Sequence, residues 1–552
     1  MKPPRSPLQL CRMGFLLLAL LPLASQAQFT FTTNNGSITI TGYTGTNSVV
    51  EIPSTTNGYP VVGIGDNAFY GQDLITSVQI PNGLASIGDF VFDSCDGLIN
   101  VTIPNSVTNI GRYAFAVCAG LTNVMIPNSV IHIGDHAFEY CAGLTNVMVP
   151  NSVTSIASNT FEQCYGLISI TIPGTVKSIG SGAFLGCAAL PSVAIPGSVS
   201  SIGVDAFRGC SSLTNVTISD GVASIGTTAF ESCSRLPSIT IPASVTNIGD
   251  GVFIVCPGLT NLVVSSNNPS YSSKDGVLFD VSQATLVQFP GGFKGSYVIP
   301  NGVTNIGNYA FAYCLKLTGL TLPSSISSIG SFAFEQCTGL SSLAIPNGVT
   351  SIGTYAFAYC SKLASIALPN SLTSMGIGLF SYCSALTNVT IPSSLTSIGN
   401  SMFWYCSALT SITIPASITN VGAAAFYNCS SLTRVYFIGN APSVGTQTFA
   451  PGNYATVYYL PGTTNWGATF SGVPAVLWNP QAQTGDTSFG VRTNRFGFNI
   501  TGSSNLLVMV EASTNLVDWK PVQTRTLIGG KAYFSDPQWT NFPGRFYRIR
   551  SP

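Results

Sequence analysis

His132 and His136 are the only histidines in the chain, and they stand four residues apart beside Asp135 and Glu139. On a helix this spacing would put both imidazoles and the carboxylates on one face, as a divalent-metal site requires. The surrounding residues do not favour a helix, and all four positions lie around an Ile133-Gly134 pair that recurs along the chain with different neighbours. They therefore read as surface substitutions, and neither a metal nor a cofactor is expected. With two histidines in 552 residues there is almost no material for Ser-His-Asp or Cys-His nucleophilic chemistry, and no Gly-x-Ser-x-Gly or His-Glu-x-x-His string occurs. Twenty Asp and Glu residues leave a glycoside-cleaving carboxylate pair conceivable, but they are scattered along the chain. Gly180-x-Gly182-x-x-x-Gly186 imitates a phosphate loop only superficially, because Gly180 belongs to the recurring Ile-Gly pair and Phe184 to an apolar ladder. No catalytic residue is assigned, and the chain is not expected to be an enzyme.

The remaining reactive groups are cysteines, and their spacing is what identifies the architecture. They fall at 95, 118, 141, 164, 187, 210, 233 and 256, then at 314, 337, 360, 383, 406 and 429, with every step inside each group equal to 23. A phenylalanine precedes each by three residues and a leucine follows each by three, as in Phe92, Cys95 and Leu98. The unit reads Leu-x-x-Val-x-Ile-Pro-x-Ser-Val-x-x-Ile-Gly-x-x-Ala-Phe-x-x-Cys-x-x. Alternating apolar residues such as Leu121, Val124 and Ile126 predict a short strand with one buried face, ended by Pro127. The Ile-Gly pair suits a tight turn, and Phe and Cys pack inward from the opposite wall. Extending the phenylalanine register to Phe69 and Phe449 gives sixteen coils, with degenerate ones at both ends as capping requires. Thr456-Val-Tyr-Tyr-Leu-Pro461 reads as a final strand closing the stack. Equivalent cysteines on stacked coils point the same way, so they are expected to be buried thiols rather than disulfides.

This unit resembles the BspA-like leucine-rich repeat of bacterial surface and secreted proteins, over roughly residues 50 to 460. The resemblance implies a leucine-rich-repeat solenoid of 23-residue coils with a parallel β-sheet, and a role in adhesion or in binding host or matrix proteins. The organisation expected is a signal peptide at 1–27, an N-terminal cap at 28–62, the solenoid at 63–478 and a small all-β domain at 485–552. Between Cys256 and Cys314 the 58 residues exceed two periods by twelve, which places a β-hairpin insertion at about 265–299. The last segment loses the period, shows five strand-like runs such as Phe496–Ile500 and Leu506–Val510, and holds eight of the twenty basic residues against four acidic ones.

Charged residues make up 7% of the chain and balance at zero, which gives no electrostatic footprint for nucleic acid or an anionic membrane. Lys2, Arg5 and Arg12, the apolar run Gly14–Leu23 and Ser25-Gln26-Ala27 follow the order of a secretory signal peptide cleaved after Ala27. No later run approaches the ~20 apolar residues of a membrane span. A secreted or cell-surface location is expected, with an extended face that binds an unidentified protein or glycan without catalysis. The alternatives are a purely structural spacer of the cell envelope and a carbohydrate-active enzyme. Two faces could carry the contact. Asn123, Asn146 and Asn388 lie between buried strand residues on a small, polar, uncharged face. Tyr313, Tyr359, Tyr382 and Tyr405 each directly precede a ladder cysteine, with Trp404 beside the last, and stacking would align them into an aromatic stripe.

Overall fold

The computed structural model describes residues 28–550, so the expected signal peptide at 1–27 lies outside the described residues. Residues up to Gly295, together with Gly302–Leu317, form one compact unit, and Ser296–Asn301 with Thr318 onward form the other. The described residues hold short strands joined by turns, with no α-helix and one 3-10 turn at Trp539–Asn541.

The first unit opens with an antiparallel hairpin, Phe29–Asn34 against Ser37–Tyr43. Ser37–Tyr43 then pairs in parallel with Tyr59–Ile64, which starts the repeat stacking. Each coil contributes a short first strand of three to five residues, such as Asn100–Thr102, Asn123–Met125 and Asn146–Met148, paired in parallel with the register Asn100↔Asn123↔Asn146. Alternation works as expected: Val124 and Ile126 are buried, while Asn123 and Met125 face out. After Pro127 the chain turns, and the Val130 N–H donates to the Pro127 carbonyl at 3.0 Å.

At the Ile-Gly pair the structure corrects the expectation of a simple turn. The two residues before each glycine form a second parallel strand, as in Asn109–Ile110 against His132–Ile133. At Gly111 the glycine answers close approach rather than bending, because a Cβ there would lie 2.5 Å from the Gly88 backbone of the preceding coil. From the far wall the phenylalanines stack one per coil, with ring centroids 5.3 Å apart for Phe115 and Phe138 and for Phe207 and Phe230. Each is fully buried, an arrangement in which area burial of ~1.5–3 kcal/mol per ring outweighs the ~0.5–1.5 kcal/mol of ring stacking. The ladder cysteines are buried beside them.

The insertion is a hairpin, Tyr271–Lys274 with Val277–Asp280, whose second strand pairs antiparallel with Thr285–Gln288. Thr285–Gln288 in turn pairs in parallel with Asn305–Ile306, so the insertion rejoins the array by a strand of its own. Phe289 takes the place of a repeat phenylalanine and stacks on Phe311 at 4.7 Å.

In the second unit the same coils continue through the strands Ser365–Ala367 and Asn388–Thr390. The strand Thr456–Tyr459 is not the last, as the sequence had suggested, because Val473–Leu477 adds to it in parallel. Beyond it, Arg495–Thr501 and Leu507–Ser513 are the central strands of two antiparallel sheets. They enclose a small core of Phe498, Ile500, Leu506, Val508, Val510, Leu527 and Phe534. The basic surplus of this segment is partly used internally: buried Glu511 pairs with Arg548 at 2.7 Å and Arg550 at 3.3 Å, and buried Asp536 with Arg545 at 2.9 Å.

Candidate ligand-binding faces

The residue directly before each ladder cysteine occupies a turn with positive φ, +59° at Tyr359, +61° at Tyr382 and +60° at Tyr405. Glycine or asparagine suits this left-handed backbone best, and the chain uses Gly186, Gly209 and Asn428 at equivalent places. A tyrosine there carries strain on the order of 1 kcal/mol. The rings recover part of it by stacking face to face, with centroids 4.5 Å apart for Tyr359 and Tyr382 and 4.7 Å for Tyr382 and Tyr405, both pairs within 6° of parallel. Trp404 meets Tyr382 and Tyr405 edge-on at 5.2 and 5.4 Å. Tyr359 and Tyr405 remain 37% and 38% exposed, so the stack presents aromatic surface to solvent instead of filling the core. Burial, followed by the neighbouring Tyr382, raises the Tyr359 hydroxyl above the ordinary tyrosine range. Tyr313 sits at the same turn, at φ +60°, but Gln336 takes that place in the next coil and the stripe does not run through it.

On the strand face, Asn123 and Asn146 are in register and exposed, and Asn388 stands opposite Ser365. The Asn146 amide donates to Thr145 Oγ1 at 3.0 Å. Met125 and Met148 are exposed next to these asparagines, which makes that stretch more apolar than the asparagine and threonine pattern suggested.

A third grouping was missed in the sequence. The residue five before each ladder cysteine also has positive φ, and Phe90, Tyr113 and His136 stack there at 4.8 and 4.4 Å. The signal was available as aromatic residues recurring five before Cys95, Cys118 and Cys314. His136 Nδ1 lies 2.8 Å from Glu139 Oε2, and Glu162 of the following coil completes a trio whose ligand atoms lie within 4.8 Å of one another. Glu139 is held above the usual carboxylate range by burial, with Glu162 adding to the effect against the opposing pull of His136. The two other residues that sequence spacing grouped with them stand apart: His132 is exposed on its strand, and Asp135 Oδ1 accepts from the Ser158 backbone N–H at 3.0 Å. The stacking of coils thus brings together Glu139 and Glu162, carboxylates 23 residues apart in sequence.

A cavity of about 300 Å³ opens among Tyr436, Tyr458, Trp478 and Arg550 in the second unit, with Tyr436 and Tyr458 stacked at 5.2 Å. Among the described residues no helix is long and apolar enough to cross a membrane.

The family model for the BspA type leucine rich repeat region matches residues 62–190, 177–294, 294–408 and 355–469. Among solved structures, a leucine-rich repeat protein from Bacteroides ovatus is 28% identical, with 71% of this chain and 94% of that one covered and a TM-score of 0.51. A leucine rich cell surface protein from Faecalibacterium prausnitzii is 30% identical, with 75% of this chain and 94% of that one covered and a TM-score of 0.43. No curated protein matches the chain.

Proposed function

Because the chain belongs to the BspA-type leucine-rich repeat family, we propose that it is a secreted or cell-surface protein that binds a protein or glycan partner on an extended face, without catalysis. The observation that carries this reading is the solvent-facing stack of Tyr359, Tyr382 and Tyr405 with Trp404 against it. Stacked rings offer a wide, rigid, amphipathic surface that loses little side-chain entropy on binding.

In this reading residues 28–62 close one end of the array, 63–478 form the solenoid with the insertion at about 265–299, and 485–552 form a separate terminal module. Export rests on the charge and hydropathy order of residues 1–27. Asn123, Asn146 and Asn388 supply the alternative contact face, and Tyr313 plays a lesser part than its sequence position suggested. Glycan-array and protein pull-down screens of the full chain test the proposal. Capture of a ligand whose affinity collapses when Tyr359, Tyr382 and Tyr405 are all replaced by alanine supports it. A spacer would capture none, and an enzyme would turn over a captured glycan.

A further inference from the structure

We propose that His136, Glu139 and Glu162 form a binding site for a divalent transition-metal ion such as Zn²⁺. Glu139 and Glu162 occupy the same place in consecutive coils, 23 residues apart, so the repeat itself stacks two carboxylates. Their ligand atoms and that of His136 all lie within 4.8 Å of one another, and the His136 and Glu139 side chains are only 24% and 16% exposed. Two half-buried carboxylates this close repel each other. A dication relieves that repulsion and matches the charge of two carboxylates with a neutral imidazole.

Ligands bound at ~2.0–2.2 Å around a tetrahedral Zn²⁺ lie roughly 3.3–3.6 Å from each other, within reach of this trio by small side-chain rotations. The supports are already in place. The His136 ring lies flat on Tyr113 at 4.4 Å and 5°, and Tyr113 on Phe90 at 4.8 Å, which fixes the plane of the imidazole. The Asn159 amide donates to Glu162 Oε2 and orients that carboxylate. Nδ1, which faces Glu139, is the nitrogen positioned to ligate. Metal binding replaces that hydrogen bond and leaves a fourth position for water. A nitrogen donor among two carboxylates selects zinc-like ions over calcium, which takes oxygen ligands.

The test is isothermal titration of the chelator-stripped full chain with Zn²⁺, paired with thermal melts. One saturable equivalent is expected, with affinity falling at least tenfold in both His136→Asn and Glu162→Gln. Asparagine is chosen because Asn159 fills the equivalent left-handed turn in the next coil, and circular dichroism checks that each variant folds. His132→Asn should bind as the unaltered chain does, Zn²⁺ should raise the melting temperature of the unaltered chain but not of His136→Asn, and Ca²⁺ should bind at least tenfold more weakly. Absence of saturable zinc binding would overturn the site. So would equal losses in His132→Asn and His136→Asn, and calcium binding as tight as zinc would overturn the role given to the imidazole.

Discussion

The thiol of Cys118 donates to the carbonyl oxygen of Phe92 in the preceding coil, 3.0 Å away. The same bond joins Cys141 to Phe115, Cys210 to Phe184, Cys383 to Phe357 and Cys429 to Phe403, always across 26 residues. This explains the invariance of cysteine better than apolar packing does. A small hydrophobe fills the space, and a thiol adds a second hydrogen bond to a buried carbonyl on the neighbouring coil, as at Phe92, which also accepts from the Cys95 backbone N–H at 3.2 Å. Replacing Cys118 or Cys210 with alanine should cost about 1–2 kcal/mol each, from the lost second hydrogen bond on a carbonyl that keeps its backbone partner and from the vacated volume. Denaturant melts measure this, and a neutral Cys210→Ala would show that the bond contributes nothing.

These bonds aim the sulfurs that make them at a carbonyl rather than at a neighbouring sulfur, so the ladder should remain reduced after export. Burial pushes the thiols of Cys164, Cys210, Cys256 and Cys360 up to about 12 from 9.0. Thiol reagents should therefore label none of the fourteen in the folded protein and all of them after unfolding without reductant. Seven disulfides in that count would refute the arrangement.

The same shifts set a pH dependence. A thiol whose folded value is raised keeps its full stabilising effect below pH 9, and loses it as pH climbs from there toward 12. Over that window the unfolded chain sheds protons that the folded one retains, which costs about 1.4 kcal/mol per pH unit for each thiol. With several thiols acting together, melting temperature should drop steeply above pH 9. A flat profile to pH 11 would contradict this degree of burial.

Gly111 and Gly174 separate two roles for glycine. A methyl on Gly111 meets the Gly88 backbone at 2.5 Å, whereas one on Gly174 meets nothing within 4 Å. Gly111→Ala should destabilise by roughly 1–3 kcal/mol and Gly174→Ala by no more than about 0.5 kcal/mol. Comparable melts for the two variants would contradict the close-approach explanation.

What the sequence revealed of this structure is what repeats in it. The Phe92–Cys95–Leu98 spacing located the core, and the alternation around Val124 located the first strand of each coil, because burial leaves a periodic trace. The second strand was hidden, since Asn109–Ile110 is two residues long and has no alternation to read. Val473–Leu477 escaped because the cysteine and phenylalanine registers end before it. The tyrosine stripe was legible as a register position, but its strain was not, because φ is set by the coil and not by the residue. The closeness of Glu162 to His136 and Glu139 was not legible for a related reason: a short window groups His136 with His132, Asp135 and Glu139, while Glu162 comes from 23 residues beyond Glu139, by stacking.

The central claim is that the aromatic stripe binds a partner through apolar contact. It is tested most directly by measuring the affinity of a captured ligand for the full chain and for Tyr359→Ala, Tyr382→Ala and Tyr405→Ala, each at low and high salt. Each substitution should weaken binding by about 1–2 kcal/mol, as anchor aromatics do. Salt should change the affinity little, because the stripe carries no charge to screen. Unchanged affinity in all three variants would contradict the account.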